Sequence, residues 1–165
     1  MRVETNGSLQ IASRRKSALS RSPILPLGLL LLASLCSPAT MAERPEEEFM
    51  NIRIVIGSES VEGVLYDNAT ARDFASRLPL SIELEDYASK EKVHTFPEKL
   101  SLEGAPAGSK GMSGDITYYS PWGNLAIFYK DHGYASGLVP LGRLNDPGKL
   151  ARLCSTSCQV RIESM

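Results

Sequence analysis

Apolar and polar side chains alternate with a period of two along most of this chain, and that pattern most restricts what it can fold into. Period two places successive side chains on opposite faces of a strand, so it selects half-buried β structure over helix. Ile52, Ile54 and Ile56 alternate with Asn51, Arg53 and Val55, a turn follows at Gly57 to Ser60, and Val61 to Tyr66 completes a predicted hairpin. Leu80, Ile82 and Leu84 alternate with Ser81, Glu83 and Glu85, before a polar turn around Ser89 to Lys92 and an extended Val93 to Phe96. The strongest pattern is Gly114 to Tyr129, two strands around a turn at Pro121, Trp122, Gly123 and Asn124. There Leu125, Ile127 and Tyr129 share one face and Ala126 and Phe128 the other, so both faces are apolar, as in a strand of a closed barrel.

Two short helices interrupt the strands. Thr70 with Asp73 makes a capping-box-like start, Ala71, Phe74, Ala75 and Leu78 form one apolar face, and Pro79 stops the helix. Asn68 precedes Ala69 and Thr70 in a formal glycosylation acceptor, which helix capping already explains. Asp146 and Pro147 start the second helix, which runs through Leu150 and Leu153. Between Pro97 and Gly114, the cluster Gly104, Pro106, Gly108 and Gly111 predicts a long surface excursion. Gly137 to Gly142 is another extended run, and Cys158 to Glu163 closes the sheet. The expectation is one mainly β domain from Met50 to Met165.

Upstream, the chain is ordered like an export leader. Arg14, Arg15, Lys16 and Arg21 precede an apolar run from Ile24 to Leu35, and small residues follow at Ser37, Ala39, Thr40 and Ala42. With Pro26 and Gly28 inside it, the run falls short of the ~20 apolar residues that a spanning helix needs. Residues 1–42 therefore read as a signal peptide cleaved after Ala39 or Ala42, residues 43–49 as a charged linker, and the mature protein as periplasmic or secreted without a stable membrane anchor. A twin-arginine signal fits poorly, because Ser17 and Ala18 stand where bulky apolar residues belong. Leu35 before Cys36 is too large for a lipoprotein signal. Translation from Met50 would instead give a cytoplasmic protein.

Charge then limits the partners. Residues 1–42 hold Arg2, Arg14, Arg15, Lys16 and Arg21 against Glu4, so their removal takes the formal charge from −1 to −5. A mildly acidic domain without a Lys/Arg cluster lacks the footprint that phosphate backbones require, and nucleic acid is not an expected partner.

The hairpin, the short helix, the Gly114 to Tyr129 block, the Leu141-Gly142-Arg143 triplet and the terminal strand together resemble the bacterial cyclophilin-like proteins, from Asn51 to the end of the chain. The resemblance implies a closed eight-stranded barrel with two short helices. Prolyl isomerase activity does not follow from it. True cyclophilins carry a catalytic arginine on a strand, followed by a Phe-Met-x-Gln-Gly-Gly-Asp constellation. Gly111, Met112, Ser113, Gly114 and Asp115 only echo that motif, and no arginine lies between Arg77 and Arg143. Lowering an amide barrier of ~20 kcal/mol needs such electrostatics.

Other chemistries find no motif. His94 and His132 stand apart in sequence, no Cys/His or acidic group has metal-ligand spacing, and Ser113 lies outside a Gly-x-Ser-x-Gly elbow. No catalytic residue, metal or cofactor is implied. Cys154 and Cys158 match neither a redox motif nor a zinc knuckle. In an oxidising compartment a bend between them would allow a disulfide that staples the last helix to the last strand.

What remains is a binding face. Phe96, Tyr118, Tyr119, Trp122, Tyr129 and Tyr134 gather most of the aromatics in one stretch. Alternating strand aromatics more often pack than bind. Tyr119 and Trp122 beside a turn proline are the better contacts, because an apolar ring with a polar tip suits a rim. Phe96, Tyr119, Trp122, Asn124, His132 and Arg143 are the candidate ligand residues, for a small molecule or peptide bound without turnover. An arginine folded onto the aromatic rim, Arg143 above all, would favour a rebuilt isomerase or another enzyme instead.

Overall fold

The computed structural model describes residues 47–165. The expected leader and both cleavage positions lie outside the described residues. The chain forms β1 (Glu48–Ile56), β2 (Glu59–Tyr66), α1 (Ala69–Ser76), β3 (Leu80–Tyr87), β4 (Glu91–Thr95), β5 (Gly108–Gly111) and β6 (Asp115–Tyr119). β7 (Asn124–Phe128), β8 (His132–Ser136), β9 (Leu138–Leu144), α2 (Pro147–Leu153) and β10 (Ser157–Ser164) follow.

Eight of the strands close a barrel in the order β1-β10-β3-β4-β7-β6-β9-β2, with every neighbouring pair antiparallel. This is the expected closed barrel with two short helices. Closure removes the unpaired edges that would otherwise template aggregation. The period-two residues face inward as read: Ile52, Ile54, Ile82, Leu84, Leu125 and Ile127 are all buried in one core. β1 begins at Glu48, so strand pairing reaches into the charged segment, with Glu48 opposite Tyr66.

Each helix is fixed at its first turn. α1 is capped by Asn68, whose Oδ1 accepts from the Ala71 amide at 2.9 Å. The Thr70 and Asp73 capping box does not form, because the Asp73 carboxylate accepts from the Ser101 amide at 2.7 Å and pins the following loop instead. α2 starts as expected, with Asp146 Oδ1 accepting from the Lys149 amide at 2.7 Å and Pro147 in the first turn. β2 and β9 run antiparallel, so α1 after β2 and α2 after β9 lie at opposite ends of the barrel. Phe74 and Leu150 are fully buried, one from each helix.

Two sequence expectations are corrected. Segment 97–114 is not wholly a surface excursion, because β5 within it pairs with β8 in a separate two-stranded sheet. Nor is the turn after β3 where the polar residues lie. Ala88 and Ser89 both take φ of 52°, and the Lys90 amide donates to the Tyr87 carbonyl at 3.1 Å, so the reversal is complete before Glu91.

Lys92 therefore sits on a strand and is buried, with only 1% of its side chain exposed. It donates to Asp86 Oδ1 at 2.6 Å and to the Ser155 carbonyl at 3.1 Å, and its Nζ stands 5.3 Å from the centre of the Tyr129 ring. Tyr129 donates to the same Asp86 oxygen at 2.7 Å. This cluster ties β3, β4 and the end of β7 to the loop before β10. The same loop is closed by a disulfide between Cys154 and Cys158, whose Cα atoms are 5.3 Å apart.

Desolvation pushes the Asp86 carboxyl up, but the hydrogen bonds from Lys92 and Tyr129 and the Lys92 charge outweigh it and hold the group below its ordinary value. Its contribution to stability is present above the usual carboxylate range and is lost as pH falls through it. Tyr129 is pushed up to about 12, by desolvation and then by its bond to Asp86. An unfolded tyrosine ionises near pH ~10, so between there and about 12 the folded chain holds the extra proton and stability declines as pH rises. Urea unfolding of the full chain across this alkaline window is expected to show that decline. Subtracting the Tyr129→Phe curve should isolate the part owed to this residue, and parallel curves for the two proteins would refute the assignment.

Candidate ligand cavity

β7 is buried on both faces, and its outer face is where the candidate site begins. Ala126 and Phe128 point away from the barrel core into a second apolar cluster with Leu138, against which Val93, Tyr119 and Ala135 pack. The β5–β8 sheet covers this outer layer. It approaches so closely that a Cβ built on Gly111 would lie 2.7 Å from the Phe128 ring, which is why a glycine is needed there.

Beside this cover the wall opens into a cavity of about 390 Å³. Its floor is the outer face of neighbouring strands, with Glu91, Val93 and Thr95 of β4, Phe128 of β7 opposite Glu91, Asn124 of β7 opposite Thr95, and Tyr119 of β6 opposite Asn124. His132 and Ala135 of β8, Leu138 of β9, Tyr87 and Trp122 complete the lining.

Three rings form a corner. Trp122 meets Tyr119 edge-on at 5.4 Å and 80°, and Tyr87 at 5.7 Å and 87°. The turn holds Trp122 outward, leaving it 59% exposed. His132 stacks on Phe128, with ring centres 5.8 Å apart and planes at 13°.

The polar groups are few. Asn124 is 4% exposed, its Nδ2 donates to the Leu125 carbonyl at 3.2 Å, and its buried Oδ1 has no donor among the described residues. Glu91 is half-buried, and burial pushes its carboxyl above the ordinary value despite the Lys90 charge. The described ion pairs do not include it. None of the lining residues is Lys or Arg.

Of the residues singled out in the sequence, Tyr119, Trp122, Asn124 and His132 line this cavity, whereas Phe96 and Arg143 do not. Phe96 is 7% exposed and packs inside the barrel, 6.2 Å from Phe74 and 6.4 Å from Tyr118 between ring centres. Arg143 is exposed on β9, paired in register with Asp115 and Val64. Its charge acts on Asp115, whose carboxyl is nonetheless pushed up, mainly by desolvation. Sequence reading missed Tyr87, Glu91 and Thr95. Their alternation was visible, but the register that sets β4 beside β7 was not.

Among known proteins, the sequence profile of the cyclophilin-like family matches residues 54–163. The solution structure of a hypothetical protein from Archaeoglobus fulgidus is similar, with a TM-score of 0.50 and 21% identity, covering 76% of this chain and 100% of that one. At that identity the likeness speaks for the fold alone. A search of curated proteins finds no match.

The cover over Phe128 generates a direct test. Gly111→Ala is expected to cost about 1–3 kcal/mol in urea unfolding, because the ring has to move or the β5–β8 sheet has to lift. Gly133→Ala, on the same sheet with open space around its Cβ position, should stay within about 0.5 kcal/mol of wild type. Equal effects would show that the close approach does not hold the cover down.

Proposed function

Given that this chain belongs to the cyclophilin-like family, we propose that it is an exported binding module, which takes a small molecule or a short peptide in the outer-wall cavity and does not turn it over. The observation that carries this reading is the aromatic corner of Tyr87, Tyr119 and Trp122 over a cavity of about 390 Å³. Small-molecule sites are concave and mostly apolar, with sparse polar anchors, and they fall in this size range. An arginine to polarise a prolyl amide, as a rebuilt isomerase would use, is not among the lining residues. Arg143, the candidate for that role, lies on β9 beside Asp115.

Trp122 is the chain's one tryptophan, so its emission reports on this cavity. Titrating the full chain with neutral, cationic and anionic fragments at millimolar concentration should give a saturable change for at least one, weakened by Ala135→Phe, which fills the cavity. A proline-containing peptide should isomerise in the presence of the protein at the buffer rate. Catalysis lost in Trp122→Ala would replace this reading with an enzyme.

Export is supported by the order of basic, apolar and small-residue blocks before residue 43, and by the Cys154–Cys158 disulfide, which persists in oxidising compartments. Protein recovered from the periplasm or medium is expected to begin at Thr40 or Glu43 by intact mass. It should contain no free thiol before reduction, since Cys36 leaves with the leader. A chain starting at Met1 or Met50 with reactive thiols would place it in the cytoplasm instead.

A further inference from the structure

The cavity's formal charge is one-sided. Glu91 brings the one carboxylate among the lining residues, with no Lys or Arg beside it, while the Trp122 indole N–H, the Thr95, Tyr87 and Tyr119 hydroxyls and the His132 ring supply further hydrogen-bonding groups. Asn124 cannot turn its amide to offer a donor cheaply. Its Nδ2 is engaged by the Leu125 carbonyl, and reversing the amide would set two carbonyl oxygens against each other. Oδ1 is consequently left as a buried acceptor without a donor among the described residues.

The aromatic wall carries the same sign. An aromatic ring presents a negative face and a positive edge, and cations are attracted over the face, most strongly over Trp. Trp122 stands close to perpendicular to both tyrosines, and the three rings form a corner that lines the cavity. Glu91 adds a formal charge on the floor, half-buried and outside the described ion pairs.

We propose that the ligand of this cavity is a small organic ammonium ion, with its cationic head in the corner of Tyr87, Tyr119 and Trp122 and its charge balanced by Glu91. The proposal rests on the binding reading above and names the ligand class for the same site. Burial of Glu91, which raises its pKa, fits a carboxylate whose counter-ion arrives with the ligand. Mature-chain acidity works in the same direction by drawing cations towards the protein.

The test separates charge from shape. Choline and its uncharged isostere 3,3-dimethyl-1-butanol are titrated into the full chain at constant ionic strength, with Trp122 emission as the readout. Choline is expected to saturate, and the isostere to bind about tenfold or more weakly. Glu91→Gln, checked for folding by circular dichroism, should weaken choline severalfold and leave the isostere unchanged. Tyr119→Leu should weaken choline more than the isostere.

Equal affinity for the two probes, or tighter binding of the isostere, overturns the cation proposal and leaves the binding module standing. So does saturation by neutral or anionic fragments when choline does not bind. If no fragment of any charge saturates, both readings fall together.

Discussion

β7 is buried on both faces, and the rest of the molecule is arranged around that requirement. Leu125 and Ile127 complete the barrel core, while Ala126 and Phe128 demand a second apolar layer outside it. A barrel strand with solvent outside needs only one apolar face. Two such faces oblige the chain to bring something over the wall, and the β5–β8 sheet is what it brings. That cover stops short of the strand ends. The cavity is the part of the outer apolar layer that the cover leaves open, so the site follows from the packing of one strand.

The disulfide loop and the Asp86–Lys92–Tyr129 cluster fix one end of the barrel in the same economical way. A lysine buried on a strand costs several kcal/mol unless paired and hydrogen-bonded, and here its partners come from β3, the residue after β7 and the loop before β10. Tyr87 and Glu91 flank the tight turn just beyond this cluster. Holding β3 and β4 together at Asp86 and Lys92 thus also positions two lining residues of the cavity on the outer face.

Much of the barrel was legible in the sequence because burial on one face leaves a period-two trace, as at Ile52 to Ile56 and Leu80 to Leu84. The site was legible at Tyr119, Trp122 and Asn124, in and beside the turn that the trace points to, and at His132, singled out as a polar group close by in sequence. Phe96 misled because an aromatic at the end of a strand reads the same whether it turns in or out, and here it turned in towards Phe74. Glu91 and Thr95 were invisible as lining residues because their neighbours on β7 are about thirty positions away in the chain. Lys92 was taken for a turn residue because the sequence shows its charge and not its partner. Two non-glycine residues at positive φ, Ala88 and Ser89, left no sequence sign of where the turn falls.

Three features of the cavity each run against folding stability. A tryptophan is held largely in solvent, a buried amide oxygen lacks a donor, and a carboxylate is desolvated outside the described ion pairs. Each has an ordinary remedy in a closed barrel: turn the ring inward, replace Asn124 by an apolar residue, or place a lysine across from Glu91. The fold applies such remedies elsewhere, burying Tyr118 in the core and pairing Lys92 with Asp86. All three belong to residues that line one cavity, and a single cation with an apolar body would cover the ring and pair the carboxylate at once, since binding to the folded state alone stabilises it. Their convergence is therefore a stronger argument for a ligand than the size of the cavity, which packing defects alone can produce.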